Sequence, residues 1–241
     1  MQKILGYIRK AVQEFDLIEK GDKIAVGISG GKDSLVLLSG LALMRRFAEF
    51  DYDIVAVTID PGFNGVPNNY EAVARLCEKL DVPFSLVHTQ IGEIVFDVRK
   101  EPNPCSLCAN MRRGALHDAA KAAGCNKLAL GHHNDDVIET FIMNLFNEGR
   151  IGCFSPKTHL DRKDITVIRP LVLAPESQVL SACNRNGFEI IKSVCPADKT
   201  TTRQKTKEFL RDMEHKDKGF KLRMFTALRK SGVDGWGYPD K

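Results

Sequence analysis

Apolar positions recur along the chain with two periods, one typical of helices and one of strands. Near the N-terminus, Ile4, Ile8 and Val12 are four residues apart, which predicts an amphipathic helix over 1–19. Similar spacing predicts further helices over 35–47, 70–80, 106–123, 135–147, 177–186, 200–217 and 220–230. Short apolar or β-branched runs predict strands over 23–28, 54–59, 84–88, 127–131, 166–168 and 189–191. Residues 89–104 fit neither period, and the remainder of 149–168 is expected to be irregular.

Strands that alternate with helices predict an α/β fold with an open parallel sheet flanked by helices. Such sheets bind ligands beyond the carboxyl ends of their strands, so a motif that follows a strand is a candidate site. We expect an N-terminal helix over 1–20, an α/β domain over 21–198 and a small basic helical extension over 199–241.

Composition narrows the class of protein. With 43% hydrophobic and 27% charged residues in 241, the chain has the composition of a globular protein, which argues against fibrous and disordered classes. No apolar stretch approaches the roughly 20 residues that span a bilayer, and no signal peptide is visible, so we expect a cytoplasmic protein without a membrane partner. Seven cysteines without a secretion signal argue against a disulfide framework.

Basic residues are concentrated near the C-terminus. Residues 199–230 contain eleven lysines and arginines against four acids, whereas the whole chain has a net charge of only +4. Such a stretch favours a polyanionic partner such as a nucleic acid. The alternative is a solvated helix pair with internal salt bridges, because Glu208 and Asp212 are interleaved with the bases.

The first candidate site is Ser29-Gly30-Gly31-Lys32-Asp33-Ser34, which follows a predicted strand and begins a helix. Its glycines allow backbone N–H groups to converge on an anion, and the helix N-terminus adds partial positive charge. The hydroxyls of Ser29 and Ser34 can donate hydrogen bonds, and Asp33 can hold a metal ion. The spacing fits neither a Walker A loop nor a dinucleotide fingerprint. A plain strand-to-helix turn capped by Ser34 is the alternative.

This loop resembles that of the PP-loop ATPases, the adenine nucleotide alpha hydrolase superfamily, whose fold is Rossmann-like. The resemblance implies that residues 29–34 bind ATP, with Mg²⁺ on a catalytic Asp33. It also implies that ATP is cleaved between its α and β phosphates while a carbonyl oxygen is adenylated. Ile59, at the end of the second predicted strand, would then lie near the adenosine.

A second motif, Gly131-His132-His133-Asn134-Asp135-Asp136, also follows a predicted strand. Adjacent histidines diverge and no third ligand is obvious, so a metal site is disfavoured, and Asp135 and Asp136 suit a helix N-cap and first turn. The motif resembles a segment of PP-loop enzymes that modify tRNA, including tRNA lysidine synthetases and tRNA thiolases. That resemblance implies that Gly131 contacts ATP and that His132 and Asp135 take part in activating ATP and substrate.

Cys105 and Cys108 form a Cys-x-x-Cys pair, for which three interpretations are open. A thioredoxin-like redox pair would begin its own strand–helix unit. A structural zinc site would need four ligands. An iron–sulfur cluster can be held by three cysteines, and Cys195 is the best candidate for the third. Cys77, Cys125 and Cys183 suit core positions, whereas Cys153 is left as a ligand, a reactive thiol or neither.

The cysteine pair with the following Arg112 and Arg113 resembles the tRNA 2-thiocytidine synthetases, as does Arg169-Pro170-Leu171 ahead of Glu176. The resemblance covers roughly residues 20–200. It implies that Cys105, Cys108 and Cys195 hold a 4Fe–4S cluster whose open iron carries sulfur. It further implies an ATP-dependent tRNA sulfurtransferase that adenylates a pyrimidine carbonyl and replaces its oxygen with sulfur. This chain departs from the family at Cys195-Pro196-Ala197-Asp198, where close members have a second Cys-x-x-Cys, and in its short C-terminal tail.

The expected partners are tRNA and a sulfur donor, either sulfide or a cysteine desulfurase; a homodimer is left open. Candidates for holding the tRNA backbone are Arg112, Arg113, Lys199, Arg203, Lys205, Lys207 and Arg211. Three alternatives remain: a sulfur transferase or amidating enzyme acting on a small molecule, a thiolase of another nucleoside such as 2-thiouridine, and a non-catalytic nucleotide-binding or zinc-stabilised RNA-binding module.

Overall fold

A computed structural model describes residues 1–63, 68–100, 104–192, 194–195 and 202–237. The helices are α1 (Gln2–Phe15), α2 (Lys32–Met44), α3 (Glu71–Lys79), the single turn α4 (Ile91–Glu93), α5 (Pro104–Ala122), α6 (Asn134–Asn147), α7 (Glu176–Arg185), α8 (Thr202–Lys216) and α9 (Phe220–Ser231). The strands are β1 (Lys23–Gly27), β2 (Asp53–Asp60), β3 (Phe84–His88), β4 (Lys127–Ala129), β5 (Lys157–Leu160) and β6 (Ile165–Ile168). A π-helical turn, Ile94–Val98, follows α4 in the segment that fitted neither period.

The strands form one sheet in the order β3-β2-β1-β4-β6-β5, in which all neighbours are parallel except β5 and β6. This confirms the predicted open α/β sheet and adds an antiparallel edge strand. From β1 the chain builds outward to β3 and then returns to place β4 on the other side of β1. The switch point between β1 and β4 is where sheets of this kind bind ligands. Both predicted motifs follow these two strands.

Two strand predictions were wrong. β5 was missed because its sequence Lys-Thr-His-Leu contains no apolar run, as is common for a half-exposed edge strand. Residues 189–191 do not form a strand. The chain instead crosses the carboxyl end of the sheet, where the Ile191 N–H donates to the Gly30 carbonyl at 3.0 Å. That segment therefore covers the first motif instead of extending the sheet.

The core lies on both faces of the sheet. Helices α1, α2 and α7 cover one face, and α5 covers the other, packing on apolar residues of β1, β2 and β4. The C-terminal part of the chain joins the first of these layers, because Trp236 is fully buried and its Nε1–H donates to the Phe154 carbonyl at 2.9 Å. The division of the chain at residues 20 and 198 stays a prediction. None of the helices described is both long and apolar enough to cross a membrane.

Candidate active site

The phosphate loop, residues 29–34, is held in shape by its own hydrogen bonds. The Ser34 hydroxyl donates to the Gly31 carbonyl at 2.9 Å and accepts from the Ser29 N–H at 3.2 Å. Gly30 has a φ of +79°, and an added Cβ would lie 2.7 Å from the Cβ of Ile191. The loop thus needs glycine both for its left-handed backbone and for the close approach of Ile191.

Gly131 brings the second motif against the phosphate loop. A Cβ at this position would lie 3.0 Å from the carbonyl carbon of Asp33 and 3.2 Å from the backbone nitrogen of Ser34. Only glycine allows two backbones to approach this closely. The loop after β4 and the first turn of α2 therefore form one continuous surface at the switch point.

A cavity of about 430 Å³ opens between these two motifs and α5, a size suited to a small-molecule ligand. Among the predicted ATP-binding residues, those in its lining are Ser29, Asp33, Ser34, Ile59 and Gly131. His132 lines it too, as do Arg112 and Arg113 on the opposite wall. Lys32 turns elsewhere, because its ammonium group contacts Glu176 at 3.0 Å. Asp136, which the sequence suggested as a first-turn acid that could touch ATP-bound magnesium, also lines the cavity.

Asp33 presents an unsatisfied oxygen at this cavity. Its Oδ2 pairs with Lys32 Nζ at 3.1 Å, whereas its Oδ1 is buried without a hydrogen-bond partner among the described residues. His133 Nε2 lies 3.7 Å from Oδ1, beyond hydrogen-bond distance. A buried, unpaired carboxylate oxygen is costly unless a ligand completes it. Mg²⁺ prefers such oxygen donors, so Asp33 fits the predicted role of a magnesium ligand.

The two adjacent histidines have different surroundings. His133 is the N-cap of α6: its N–H donates to Asp136 Oδ2 at 3.0 Å, and the Asp136 N–H donates to His133 Nδ1 at 3.3 Å. The prediction that Asp135 caps this helix was wrong, since Asp135 lies in the first turn. The His132 ring packs on Phe154, with centroids 4.8 Å apart, and its Nδ1 is buried without a hydrogen-bond partner in the described chain.

Burial, together with the nearby Arg169 cation, lowers the pKa of His132 from its ordinary value to about 4. His132 is therefore a neutral imidazole at physiological pH. A neutral imidazole has one nitrogen that donates and one that accepts, which suits hydrogen bonding to an uncharged base. Arg169 is itself fixed by a hydrogen bond to the Ser155 carbonyl at 2.6 Å and by its position 4.9 Å from the centre of the Phe154 ring.

This low pKa predicts a pH dependence of stability. The unfolded chain takes up a proton near pH 6.5, whereas folded His132 resists protonation until about pH 4. The stabilising effect of keeping His132 uncharged is therefore complete above pH 6.5. As the pH falls from 6.5 to 4, the free energy of unfolding decreases by up to about 3 kcal/mol. We expect His132→Asn to flatten the fall in unfolding free energy between pH 6.5 and 4, measured by urea denaturation. The exposed His159 provides the control, because H159N should leave the slope unchanged.

Asp135 uses both carboxylate oxygens to fasten helices together. Its Oδ2 accepts from the Glu176 N–H at 2.7 Å at the start of α7, and its Oδ1 pairs with Lys221 Nζ of α9 at 2.9 Å. Burial alone would raise its pKa, but the hydrogen bonds from Glu176 and Lys221 outweigh burial and lower it. Asp135 is therefore ionised and holds α6 against α7 and α9. Its predicted part in activation stays a prediction.

The C-terminal helices place three cations on acids around the phosphate loop. These ion pairs join Arg203 with Asp136 at 3.4 Å, Lys207 with Glu176 at 2.8 Å, and Lys221 with Asp135 at 2.9 Å. Arg203 and Lys207 were predicted to bind RNA; here they contact Asp136 and Glu176 beside the phosphate loop. Lys205 and Arg211 are exposed on α8, and Lys199 lies outside the described residues.

The cysteine pair lies at the start of α5, the helix that forms the far wall of the cavity. Cys105 is exposed, whereas Cys108 is buried in an apolar cluster against which Cys195 also packs. Burial raises the pKa of the Cys108 thiol, and Arg112 beside it lowers the pKa in part. Within the described ranges, no three metal-binding side chains are grouped as the ligands of a single ion. Thiols are nevertheless the donors that iron–sulfur clusters require, so this donor set fits such a cluster.

The other cysteines are structural. Cys77, Cys125 and Cys183 are buried in the core, as predicted. The Cys153 thiol donates to the Val137 carbonyl at 3.3 Å, and burial raises its pKa to about 12. Cys153 packs in the main core and not in the cluster that contains Cys108 and Cys195, which favours a structural role over that of a ligand.

The phosphate loop and the loop at Gly131 meet at the switch point beside a cavity lined by Asp33, which is typical of a nucleotide-binding α/β protein of the PP-loop class. A family model described as a PP-loop domain matches residues 3–212. The tRNA-cytidine(32) 2-sulfurtransferase of Pelobacter propionicus is 40% identical over 224 residues, which is 92% of this chain and 82% of that protein. The corresponding protein of Syntrophotalea carbinolica is 41% identical over 199 residues, or 82% of this chain and 76% of its own. The chain therefore belongs to the PP-loop family of tRNA-cytidine(32) 2-sulfurtransferases.

A solved structure supports the same relationship. The U34-tRNA thiolase NcsA from Methanococcus maripaludis, determined with its [4Fe-4S] cluster, aligns with a TM-score of 0.77 and 26% identity. The alignment covers 95% of this chain and 78% of NcsA. NAD+ synthetase from Burkholderia pseudomallei, at 14% identity and a TM-score of 0.50, shares the fold.

Proposed function

We propose that the protein is an ATP- and 4Fe–4S-dependent sulfurtransferase that replaces the C2 oxygen of a cytidine in tRNA, at position 32, with sulfur. The observation that carries this proposal is the placement of α5. This helix begins with Cys105 and Cys108 and continues as the wall of the cavity onto which the phosphate loop opens. The cysteines of the sulfur chemistry and the loop that binds ATP would thus lie at the two ends of the cavity wall that α5 forms.

Activation of the base uses groups of the phosphate loop. The triphosphate would lie against the N-terminus of α2, beside Ser29 and Ser34, which line the cavity. Asp33 would hold Mg²⁺ against the phosphates. The C2 oxygen of cytosine then attacks the α phosphorus and pyrophosphate leaves, so that the oxygen becomes part of an AMP leaving group. Neutral His132, which lines the cavity, would hydrogen-bond the base during this step.

Cys105, Cys108 and Cys195 would hold the cluster, which when bound supplies sulfur through an iron without a protein ligand. Sulfur forms the new bond to C2 and AMP leaves with the original oxygen.

The proposal also includes the sulfur donor, which is sulfide or a cysteine desulfurase, a homodimeric state and a cytoplasmic location. The target base has to leave its stack to enter a cavity of this depth.

Nucleoside analysis tests this function. The anaerobically reconstituted protein is incubated with unmodified tRNA, ATP, Mg²⁺ and sulfide, and the digested tRNA is examined for 2-thiocytidine. We expect one AMP per thiolated nucleoside and no product from tRNA with uridine at position 32. AMP formation with a small acceptor and without tRNA would instead favour a small-molecule sulfur transferase or amidating enzyme.

The exposed cations of α8 are expected to contact the tRNA backbone. Replacing Lys205 and Arg211 together with Glu should weaken tRNA binding and reduce the slope of log affinity against log salt by about one per lost phosphate contact. Lys10→Glu on exposed α1 is the matched charge reversal and should change neither quantity. Unchanged binding by the double variant would favour the solvated-helix interpretation of this segment.

A further inference from the structure

Glu176, the first residue of α7, joins the phosphate loop to the basic helix α8. Its Oε1 accepts from two ammonium groups, Lys32 Nζ at 3.0 Å and Lys207 Nζ at 2.8 Å. Lys32 in turn contacts Asp33 Oδ2 at 3.1 Å. Charges thus alternate along a row from the loop to α8, and the Glu176 side chain is only 22% exposed.

Binding of a triphosphate would rearrange this row. Lys32 belongs to the phosphate loop and is held by carboxylates, so an arriving anion of higher charge competes for its ammonium group. Once Lys32 turns to the phosphates, the Glu176 carboxylate would remain half-buried beside them. Without a cation beside it, the Glu176 carboxylate would repel the phosphates. It would also be an unpaired charge in a poorly hydrated place.

Lys207 prevents this loss of pairing, because its ammonium group contacts the same Glu176 oxygen, Oε1, as Lys32 does. It keeps Glu176 paired whether Lys32 contacts the carboxylate or the phosphates. We propose that Lys207 is a positioning residue of the ATP site, acting through Glu176 to release Lys32 to the nucleotide. This inference rests on the proposed binding of ATP at residues 29–34 and assigns to α8 a role in nucleotide binding that is separate from RNA contact.

A double-mutant cycle tests the proposal with the full chain, Mg²⁺ and a non-hydrolysable ATP analogue, in the absence of tRNA. K207M should weaken binding of the analogue on the order of tenfold, because it leaves Glu176 unpaired in the complex. E176Q should bind no more weakly than the wild type. The variant with both changes should bind within about threefold of E176Q, since no carboxylate is left to compensate. K207R, which keeps the charge, should restore most of the affinity.

Lys216→Met is the matched control, because it removes an exposed ammonium group on the same helix from a residue without a proposed binding role. It should leave affinity for the analogue unchanged. Unaltered binding by K207M would overturn the proposal, as would a doubly substituted variant as weak as K207M, which would mean that Lys207 contacts the nucleotide or supports the fold directly. In a separate tRNA-binding assay, a loss of tRNA affinity by K207M together with unchanged affinity for the analogue would overturn the proposal and return Lys207 to the RNA surface. A wild-type protein that does not bind the analogue would overturn the proposed function as well, whereas normal thiolation with no coupling would overturn this inference only.

Discussion

Replacing Asp33 with Asn is expected to slow ATP-dependent thiolation on the order of a hundredfold or more. The buried Asp33 Oδ1 has no hydrogen-bond partner among the described residues, and Asp33 lines the cavity, so we expect this carboxylate to hold a cation there. An amide supplies a neutral oxygen of similar shape but no charge to hold Mg²⁺ against the phosphates. The loop itself should survive, because its internal hydrogen bonds come from Ser29, Gly31 and Ser34.

The Asp33 variant is best followed by AMP release and thiolated nucleoside in parallel with the iron content. We expect both products to fall together while iron binding is retained, since the cysteines are on other elements. Asp161→Asn, at a side chain that is 98% exposed, is the control for the change of charge. Thiolation at the wild-type rate by D33N would remove the assignment of residues 29–34 as the phosphate loop.

Much of this site could be predicted because its candidate functional residues lie in short continuous segments of the sequence. The phosphate loop, the loop around Gly131 and the cysteine pair each follow a strand or begin a helix, so local signals placed them correctly. The order of the strands then brought the first two motifs to one switch point. The spacing of apolar residues predicts this meeting of the two motifs only where the strands and helices follow a regular period.

Contacts between distant segments could not be predicted in the same way. The pairing of Lys207 with Glu176 and of Arg203 with Asp136 depends on how α8 packs on α6 and α7, which no local pattern reports. The basic charge of α8 suggested a polyanionic partner, but two of its cations contact the carboxylates of Asp136 and Glu176 beside the phosphate loop. The one signal available for Glu176 was its place ahead of a helix, in a segment that resembled the family.

Residues 189–191 show why an apolar run can mislead. Ile190 and Ile191 have the composition of a strand, but the backbone of Ile191 bonds to the phosphate loop. The apolar side chain serves instead to cover Gly30, where a Cβ would collide with it. The prediction that Cys195 follows this segment near the carboxyl end of the sheet nevertheless agrees with its packing against the cluster around Cys108.

Replacing Cys195 with Ala is expected to abolish both the visible absorption of the reconstituted protein and tRNA thiolation. A cubane cluster held by three thiolates has no fourth cysteine to compensate, because the remaining thiols are buried in other parts of the core. The fold should be little affected, since Cys195 is only half-buried at the edge of its cluster. Affinity for an ATP analogue should stay at the wild-type value, which separates loss of sulfur chemistry from loss of the nucleotide site.

Cys153→Ala is the matched control for the loss of one thiol. Cys153 is buried and its thiol donates to the Val137 carbonyl, so its removal should lower stability slightly but leave close to four irons per chain. Reversal of this pattern, with iron retained by C195A and lost by C153A, would contradict the ligand assignment. Because Cys108 and Cys195 approach one another from segments nearly ninety residues apart, retention of the cluster in C195A would also mean that this contact serves packing and that the third thiolate comes from elsewhere.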